Sequence, residues 1–215
     1  MMKRKRNPMK IWLTLGFGIA FTFASSGAWA DDTEVAHELI QTLCSNCHGK
    51  DGRSVSPTFP NLAGQKKEYI QAQIILFREH TRSDPHAQAY MWGMASNPKL
   101  TDKVIADIAT YYSGQPPAPP TPPDDAALSA TGKKLYTEGD ASRNVPACSM
   151  CHGEKGEGFA TIPVIPRLAS QHRGYLVKQL EAFQSNLREN DLMHQIASGL
   201  TPGDIDAIST FLASQ

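Results

Sequence analysis

The sequence lacks several features that mark common classes of protein. Its 215 residues include only four cysteines, and no segment shows the sustained apolar–polar alternation of a half-buried β-strand. No apolar run reaches the roughly 20 residues that span a bilayer. The 21 basic and 21 acidic residues cancel, so the chain has no excess positive charge to attract nucleic acid or anionic membranes. These absences argue against nucleic-acid binding and favour a mainly helical protein.

The first 30 residues predict a cleaved secretory signal peptide. The basic cluster Lys3–Arg6 precedes an apolar stretch over residues 11–24, and Ala28-Trp29-Ala30 supplies the small residues of a cleavage site. An uncleaved anchor is the alternative, but the apolar stretch is too short to cross a bilayer. Five of the 21 basic residues and none of the 21 acidic residues fall in this segment. We therefore expect cleavage after Ala30 and a mature chain with a formal charge of −5.

The mature chain contains two copies of one unit. Residues 43–49 align with residues 147–153, and each segment holds a C-x-x-C-H motif. The sequence P-N-L-A-G-Q at 60–65 likewise aligns with P-R-L-A-S-Q at 166–171. Such an internal repeat indicates two small domains rather than one larger one.

Helical periodicity recurs in both copies. After each motif, apolar residues at positions i, i+4 and i+7 predict a helix; they are Ile70, Ile74 and Phe77 in the first copy and Leu176, Leu180 and Phe183 in the second. The last helix of each copy begins at a hydroxyl residue suited to an N-cap, Thr101 or Thr201, and Pro202 takes the first helical position in the second. Weaker patterns predict helices before the motifs, over 33–43 and 129–136.

A proline-rich segment, residues 115–125, separates the copies. Because proline lacks the amide hydrogen that helices and sheets require, this segment should form a semi-rigid linker. A proline-rich recognition site is the alternative. The predicted organisation is therefore a signal peptide over 1–30, an N-terminal domain over 31–114, the linker over 115–125 and a C-terminal domain over 126–215.

The C-x-x-C-H motif is typical of covalent haem attachment. Its two thiols are spaced to form thioether bonds with the vinyl groups of one haem, and the adjacent histidine binds the iron. The alternatives are a redox dithiol, a disulfide and a zinc site; a zinc site would leave the histidine after each pair unexplained. We predict two covalently bound haem c groups, held by Cys44, Cys47, His48, Cys148, Cys151 and His152.

The sixth iron ligand decides whether each haem only exchanges electrons or also binds a substrate. The shared pattern M-x-x-[IM]-A-S before each closing helix selects Met91 and Met193, and histidine with methionine is the cytochrome c pairing. Met94 then aligns with a packing position. A bis-histidine first site, using His80 or His86, is the alternative.

Further residues are predicted to surround the haems. The carbonyls of Pro60 and Pro166 can accept a hydrogen bond from the second ring nitrogen of each axial histidine. Trp92 is predicted to form part of a haem-pocket wall. Four residues could bond haem propionates, with packing or helix capping as alternatives: Gln65, Gln171, Tyr69 and Tyr175.

These residues and motifs together resemble the dihaem cytochromes c4 over nearly the whole mature chain. The resemblance implies an all-α protein of two class I cytochrome c domains, related by an approximate twofold, with haems that face each other through their propionates. It also implies a periplasmic electron carrier between a membrane donor, such as a quinol-oxidising complex, and a haem-copper terminal oxidase. Such a carrier is soluble or loosely attached to the membrane, and we expect a monomer without enzymatic activity.

Two other functions fit parts of the pattern. The chain could be the haem subunit of a periplasmic dehydrogenase, such as a flavocytochrome, in which a separate chain performs catalysis. It could also be a dihaem enzyme that acts on peroxide or a sulfur compound, which requires an accessible iron. The paired methionines argue against the second function.

Overall fold

A computed structural model describes residues 31–215, so the predicted signal peptide lies outside the described residues. Over this range the chain is helical, and its only extended pairings are two isolated backbone bridges. None of the helices in residues 31–215 combines the length and apolar character needed to cross a membrane. The helices are α1 (Asp32–Leu39), α2 (Ser45–His48), α3 (Lys67–Arg78), α4 (Trp92–Ala95), α5 (Asp102–Ser113), α6 (Ala126–Glu138), α7 (Ser149–His152), α8 (Arg173–Gln184), α9 (Asp191–Ser198) and α10 (Pro202–Ala213).

The helices predicted before the motifs are confirmed, and both extend beyond the predicted range. In the first half, a π-helical turn over Ile40–Cys44 joins α1 to α2, so one continuous helical run leads into the motif. In the second half, α6 crosses α10 at very short range. A Cβ atom at Gly132 would lie 1.9 Å from the carbonyl oxygen of Ala207, so only glycine permits this crossing.

The predicted central and closing helices are also confirmed. Ile70 and Phe77 of α3 are buried, as are their equivalents on α8. The side chain of Thr101 accepts a hydrogen bond from the amide of Val104 and begins α5. Thr201 caps α10 in the same way, within a reciprocal capping box with Asp204. In each half the closing helix packs against the first and central helices, and this packing forms the core.

The segments that carry the candidate methionines are helical, which the sequence reading did not predict. A π-helical turn over Ala87–Met91 continues into α4, and α9 holds Met193. Asp84 accepts a hydrogen bond from the amide of Ala87, and Asn190 accepts one from the amide of Met193. These two equivalent residues therefore begin the two methionine-bearing helical segments.

The proline-rich segment contains no helix and lies against both halves. Arg53 of the first half donates two hydrogen bonds to the carbonyl oxygen of Pro116, at 3.1 and 2.9 Å. At the other end, the amide of Thr121 donates to the carbonyl oxygen of Ala213 at 2.8 Å. The segment is therefore held at both ends by hydrogen bonds to the two halves.

The two halves hold each other through a reciprocal pair of glutamines. The side chain of Gln65 bonds both the amide and the carbonyl of Arg167, each at 2.8 Å. Gln171 bonds the amide and the carbonyl of Asn61 at 2.8 and 2.9 Å. A glutamine from each half thus clamps the backbone of the opposite half, at equivalent positions of the repeat.

Replacing Gln171 with alanine should destabilise the haem-loaded protein by about 2 to 4 kcal/mol, because it leaves the buried amide and carbonyl of Asn61 without partners. Guanidinium unfolding would measure this loss. Gln195→Ala is the matched control: Gln195 is exposed on α9, so its loss should change the free energy of unfolding by less than about 0.5 kcal/mol. If both substitutions lowered the free energy of unfolding equally, the stabilising role assigned to Gln171 would be contradicted.

Candidate functional site

A single cavity of about 740 Å³ runs between the two halves of the molecule. Its wall is mainly apolar and includes residues from both copies of the repeat. All eight side chains predicted to hold haem line it: Cys44, Cys47, His48, Met91, Cys148, Cys151, His152 and Met193. The fold therefore brings together residues that are more than a hundred positions apart in the sequence.

The two motif histidines are buried and are oriented by proline carbonyls. Nδ1 of His48 lies 2.9 Å from the carbonyl oxygen of Pro60, and Nδ1 of His152 lies 3.2 Å from that of Pro166. A carbonyl only accepts, so Nδ1 carries the proton and Nε2 keeps its lone pair for a metal. Burial lowers the pKa of both histidines, and the hydrogen bonds to proline only partly oppose this. Both imidazoles are thus neutral, as iron ligation requires.

The motif cysteines do not have the character of a redox-active dithiol. None of the four forms a disulfide, and burial raises the pKa of the Cys44 and Cys148 thiols to about 11. Redox-active C-x-x-C pairs instead have a depressed pKa that stabilises the thiolate. The geometry therefore favours covalent attachment of a group in the cavity over disulfide exchange.

The methionines differ in burial. Met91 is half-buried, lines the cavity and packs beside Phe77. Met94 also reaches the cavity wall, but 42% of its surface is exposed. Met193, on α9, is half-buried like Met91. Met91 is therefore the more buried of the two candidates in the first half.

The histidines of the bis-histidine alternative lie in different surroundings. His80 is exposed and stacks on Trp92, with ring centroids 4.2 Å apart. His86 reaches the cavity wall, where Nε2 lies 2.9 Å from Nζ of Lys178. Trp92, predicted to form part of the pocket wall, donates its indole N–H to the carbonyl of Arg82 and packs against residues that line the cavity.

Two buried arginines were missed by the sequence analysis. Arg82 and Arg188 are only 4% and 7% exposed and line the cavity between the halves. Arg82 donates to Gln179 and to the hydroxyl of Tyr175 in the second half. Arg188 donates to neutral acceptors in both halves, at Tyr69, Gln73 and Gln179. The arginines align in the repeat, a signal that could have identified them.

The cavity fits haem c in polarity and charge. Its apolar wall suits a porphyrin, and its cations suit two propionates. Nε of Arg167, in the cavity wall, is buried without a hydrogen-bond partner. Without a bound group, this largely apolar wall would face water, so the fold needs a large apolar group here.

Comparison with known proteins assigns the chain to a family. The cytochrome c family pattern matches residues 34–114 and again residues 129–215. A cytochrome c4 from Thiocapsa roseopersicina is 36% identical over 184 residues, which cover 84% of this chain and 91% of the relative. The chain belongs to the dihaem cytochrome c4 family. It accordingly carries two covalently bound haem c groups, one at each C-x-x-C-H motif, and is an electron-transfer protein.

The fold comparison agrees with this assignment. The solved structure of a cytochrome c4 from Acidithiobacillus ferrooxidans has a TM-score of 0.74 and 35% identity, covering 80% of this chain and 98% of that one. The predicted all-α fold with two cytochrome c domains is thereby confirmed. A protein named thiosulfate dehydrogenase electron acceptor, from Thiomonas intermedia, is 30% identical over 97% of this chain and 92% of its own length.

Proposed function

We propose that the chain is a periplasmic carrier whose two haems are each closed on both faces, the first by His48 and Met91 and the second by His152 and Met193. The observation that carries this proposal is the continuous cavity, whose wall contains both histidines and both methionines. A haem iron with a protein ligand on each face has no open position for peroxide or a sulfur substrate. The protein therefore transfers electrons and performs no chemistry on a bound substrate.

The domain boundaries and the twofold arrangement belong to the same proposal. The reciprocal glutamine clamps and the cavity that both halves line support this arrangement. An electron can then enter at one haem, cross the interface within a single chain and leave from the other. The carrier acts as a monomer, because each haem already has its redox partner in the same molecule.

The proposed partners are a quinol-oxidising membrane complex as donor and a haem-copper terminal oxidase as acceptor. The net charge of −5 on residues 31–215 gives no basis for binding anionic lipid, so the carrier is soluble or only loosely attached to the membrane. Export by the predicted signal peptide places it in the periplasm.

Stopped-flow spectroscopy tests this function directly. The reduced holoprotein, mixed with membranes that contain the oxidase, should be reoxidised by oxygen at a rate that rises with membrane concentration and stops when cyanide blocks the oxidase. The oxidised holoprotein should in turn be reduced when quinol and the donor complex are supplied together. Reoxidation that proceeds equally well without membranes would contradict the proposal.

A second candidate function is electron acceptance from a thiosulfate dehydrogenase, which the thiosulfate-related relative favours. Thiosulfate with its dehydrogenase would then reduce both haems, while thiosulfate alone would not. Rapid reduction by thiosulfate alone would instead mean that this chain is itself the enzyme.

A further inference from the structure

A chain of contacting rings leads from the histidine of the first motif to the protein surface. The ring of Phe59 lies edge-on to that of His48, with centroids 6.2 Å apart and planes at 67°. Phe59 meets Tyr90 edge-on in turn, at 5.2 Å and 78°. Tyr90 borders the cavity, and 45% of its surface is exposed. Edge-to-face contacts of about 4.5–7 Å are favourable aromatic geometry, so the three rings form one connected path.

The equivalent positions of the second half are aliphatic. The residue before the proline that orients the histidine is Phe59 in the first copy and Ile165 in the second. The residue before the proposed methionine ligand is Tyr90 in the first copy and Leu192 in the second. Packing beside a haem therefore does not require rings at these two positions, because the second copy fills both with aliphatic side chains. The ring path needs another explanation.

The segment that carries Tyr90 has the composition of an interface centre. Residues 85–98 contain no aspartate, glutamate, lysine or arginine, and they include Met94, which is 42% exposed. The corresponding segment before Met193 instead contains Glu189 and Asp191, both exposed. Centres of protein interfaces are depleted of charged residues and enriched in tyrosine and methionine. The first segment is therefore suited to an apolar contact with another protein.

We propose that Tyr90 is the contact through which a partner protein exchanges electrons with the first haem. This inference rests on the proposed function, in which the chain carries electrons between two other proteins. The partner is a redox protein with an apolar contact face, which docks against Tyr90 and Met94. The ring path then connects the docked partner with His48 and the first iron.

The step transfers one electron and no atoms. The first iron changes between ferric and ferrous while the partner's redox centre changes in the opposite sense. Tyr90 is neither oxidised nor reduced and keeps its hydroxyl proton, because its ring only provides closely packed π orbitals along the tunnelling path. The second haem exchanges electrons with the other partner, so only one of the two external reactions uses Tyr90.

Replacing the two path residues with their second-half equivalents tests the proposal. Stopped-flow spectroscopy follows oxidation of the reduced holoprotein by membranes that contain the oxidase, and reduction of the oxidised holoprotein by quinol and the donor complex. Tyr90→Leu should slow one of these reactions by about tenfold, as loss of an interface hot spot would, and leave the other within about twofold. Phe59→Ile should lower the maximal rate of the same reaction but not the partner concentration that gives half of it, because Phe59 lies between Tyr90 and His48.

Further measurements separate electron exchange from a structural role. The far-red band and both reduction potentials should stay unchanged in Tyr90→Leu and Phe59→Ile, since the second half has these aliphatic residues beside the same types of ligand. Tyr90→Phe keeps the ring and should retain most of the rate. Leu192→Ala is the matched control, at the equivalent and 60% exposed position. It should not slow the reaction that depends on Tyr90.

The proposal is overturned if Tyr90→Leu keeps the far-red band and slows neither reaction, if it slows both reactions equally, or if Leu192→Ala slows the same reaction as much. If Tyr90→Leu weakens the far-red band, Phe59→Ile decides: an unchanged maximal rate overturns the proposal, and a lower one supports it.

Failure of the proposed function would look different. A wild-type holoprotein that is neither oxidised by the membranes nor reduced by the donor complex would contradict the proposed carrier role. A wild-type holoprotein that reacts with both, combined with path variants that react equally fast, would show that only the docking contact is wrong.

Discussion

Replacing Met91 with alanine is expected to remove about half of the far-red absorption band that methionine-ligated ferric haem produces, because one of the two irons loses its thioether ligand. The iron freed in this way should bind carbon monoxide when reduced, whereas the other haem should not. The far-red spectrum of the oxidised protein and a carbon monoxide titration of the reduced protein measure the two effects. Met193→Ala should act in the same way on the second haem.

Met94→Ala is the matched control for the first site. Met94 lies three residues away, also reaches the cavity wall and is 42% exposed. Its replacement should leave the far-red band at its full intensity. If Met94→Ala halves the band and Met91→Ala does not, the assignment of the first sixth ligand is wrong.

Replacing Cys148 and Cys151 together with serine is expected to remove one haem and to unfold most of the second half. The core of that half lies around the cavity and includes Cys148 itself among its packed residues. Without the haem, the apolar side chains of this core would face water, and a domain of this size has little other apolar burial to stabilise it. A pyridine haemochrome assay after acid–acetone extraction should count one covalent haem per chain, and far-ultraviolet circular dichroism should show the loss of helix.

The corresponding double substitution at Cys44 and Cys47 is the comparison. It should remove the first haem and destabilise the first half to a similar degree, because the two halves share one architecture. A serine variant that keeps both covalent haems, or one that loses a haem while its helix content and unfolding midpoint stay unchanged, would contradict the structural role assigned to the haem.

The elements that local sequence determines were predicted well. The C-x-x-C-H motif predicted the cofactor, since thiol spacing and the adjacent histidine are local requirements of the chemistry. The role of the prolines that orient His48 and His152 was predicted because the second ring nitrogen of an axial imidazole needs a hydrogen-bond acceptor. The long helices followed from apolar periodicity over ten or more residues.

Features that depend on contacts between the halves were not predicted. The guanidinium groups of Arg82 and Arg188 meet acceptors from the opposite half, and no local pattern specifies such a contact. Gln65 and Gln171 were considered for propionate binding, yet they clamp the backbone of the opposite half. The helices around Met91 and Met193 were missed because each is too short for periodicity to be evident, and their caps, Asp84 and Asn190, look like ordinary loop residues.

Carbon monoxide binding to the reduced native holoprotein tests most directly whether both irons are closed by protein ligands. With histidine and methionine on each iron, the visible spectrum should change little when the gas is added, and any binding should be slow and far below two equivalents per chain. Rapid binding at either haem would show an open coordination position and would contradict the assignment of the chain as a pure electron carrier.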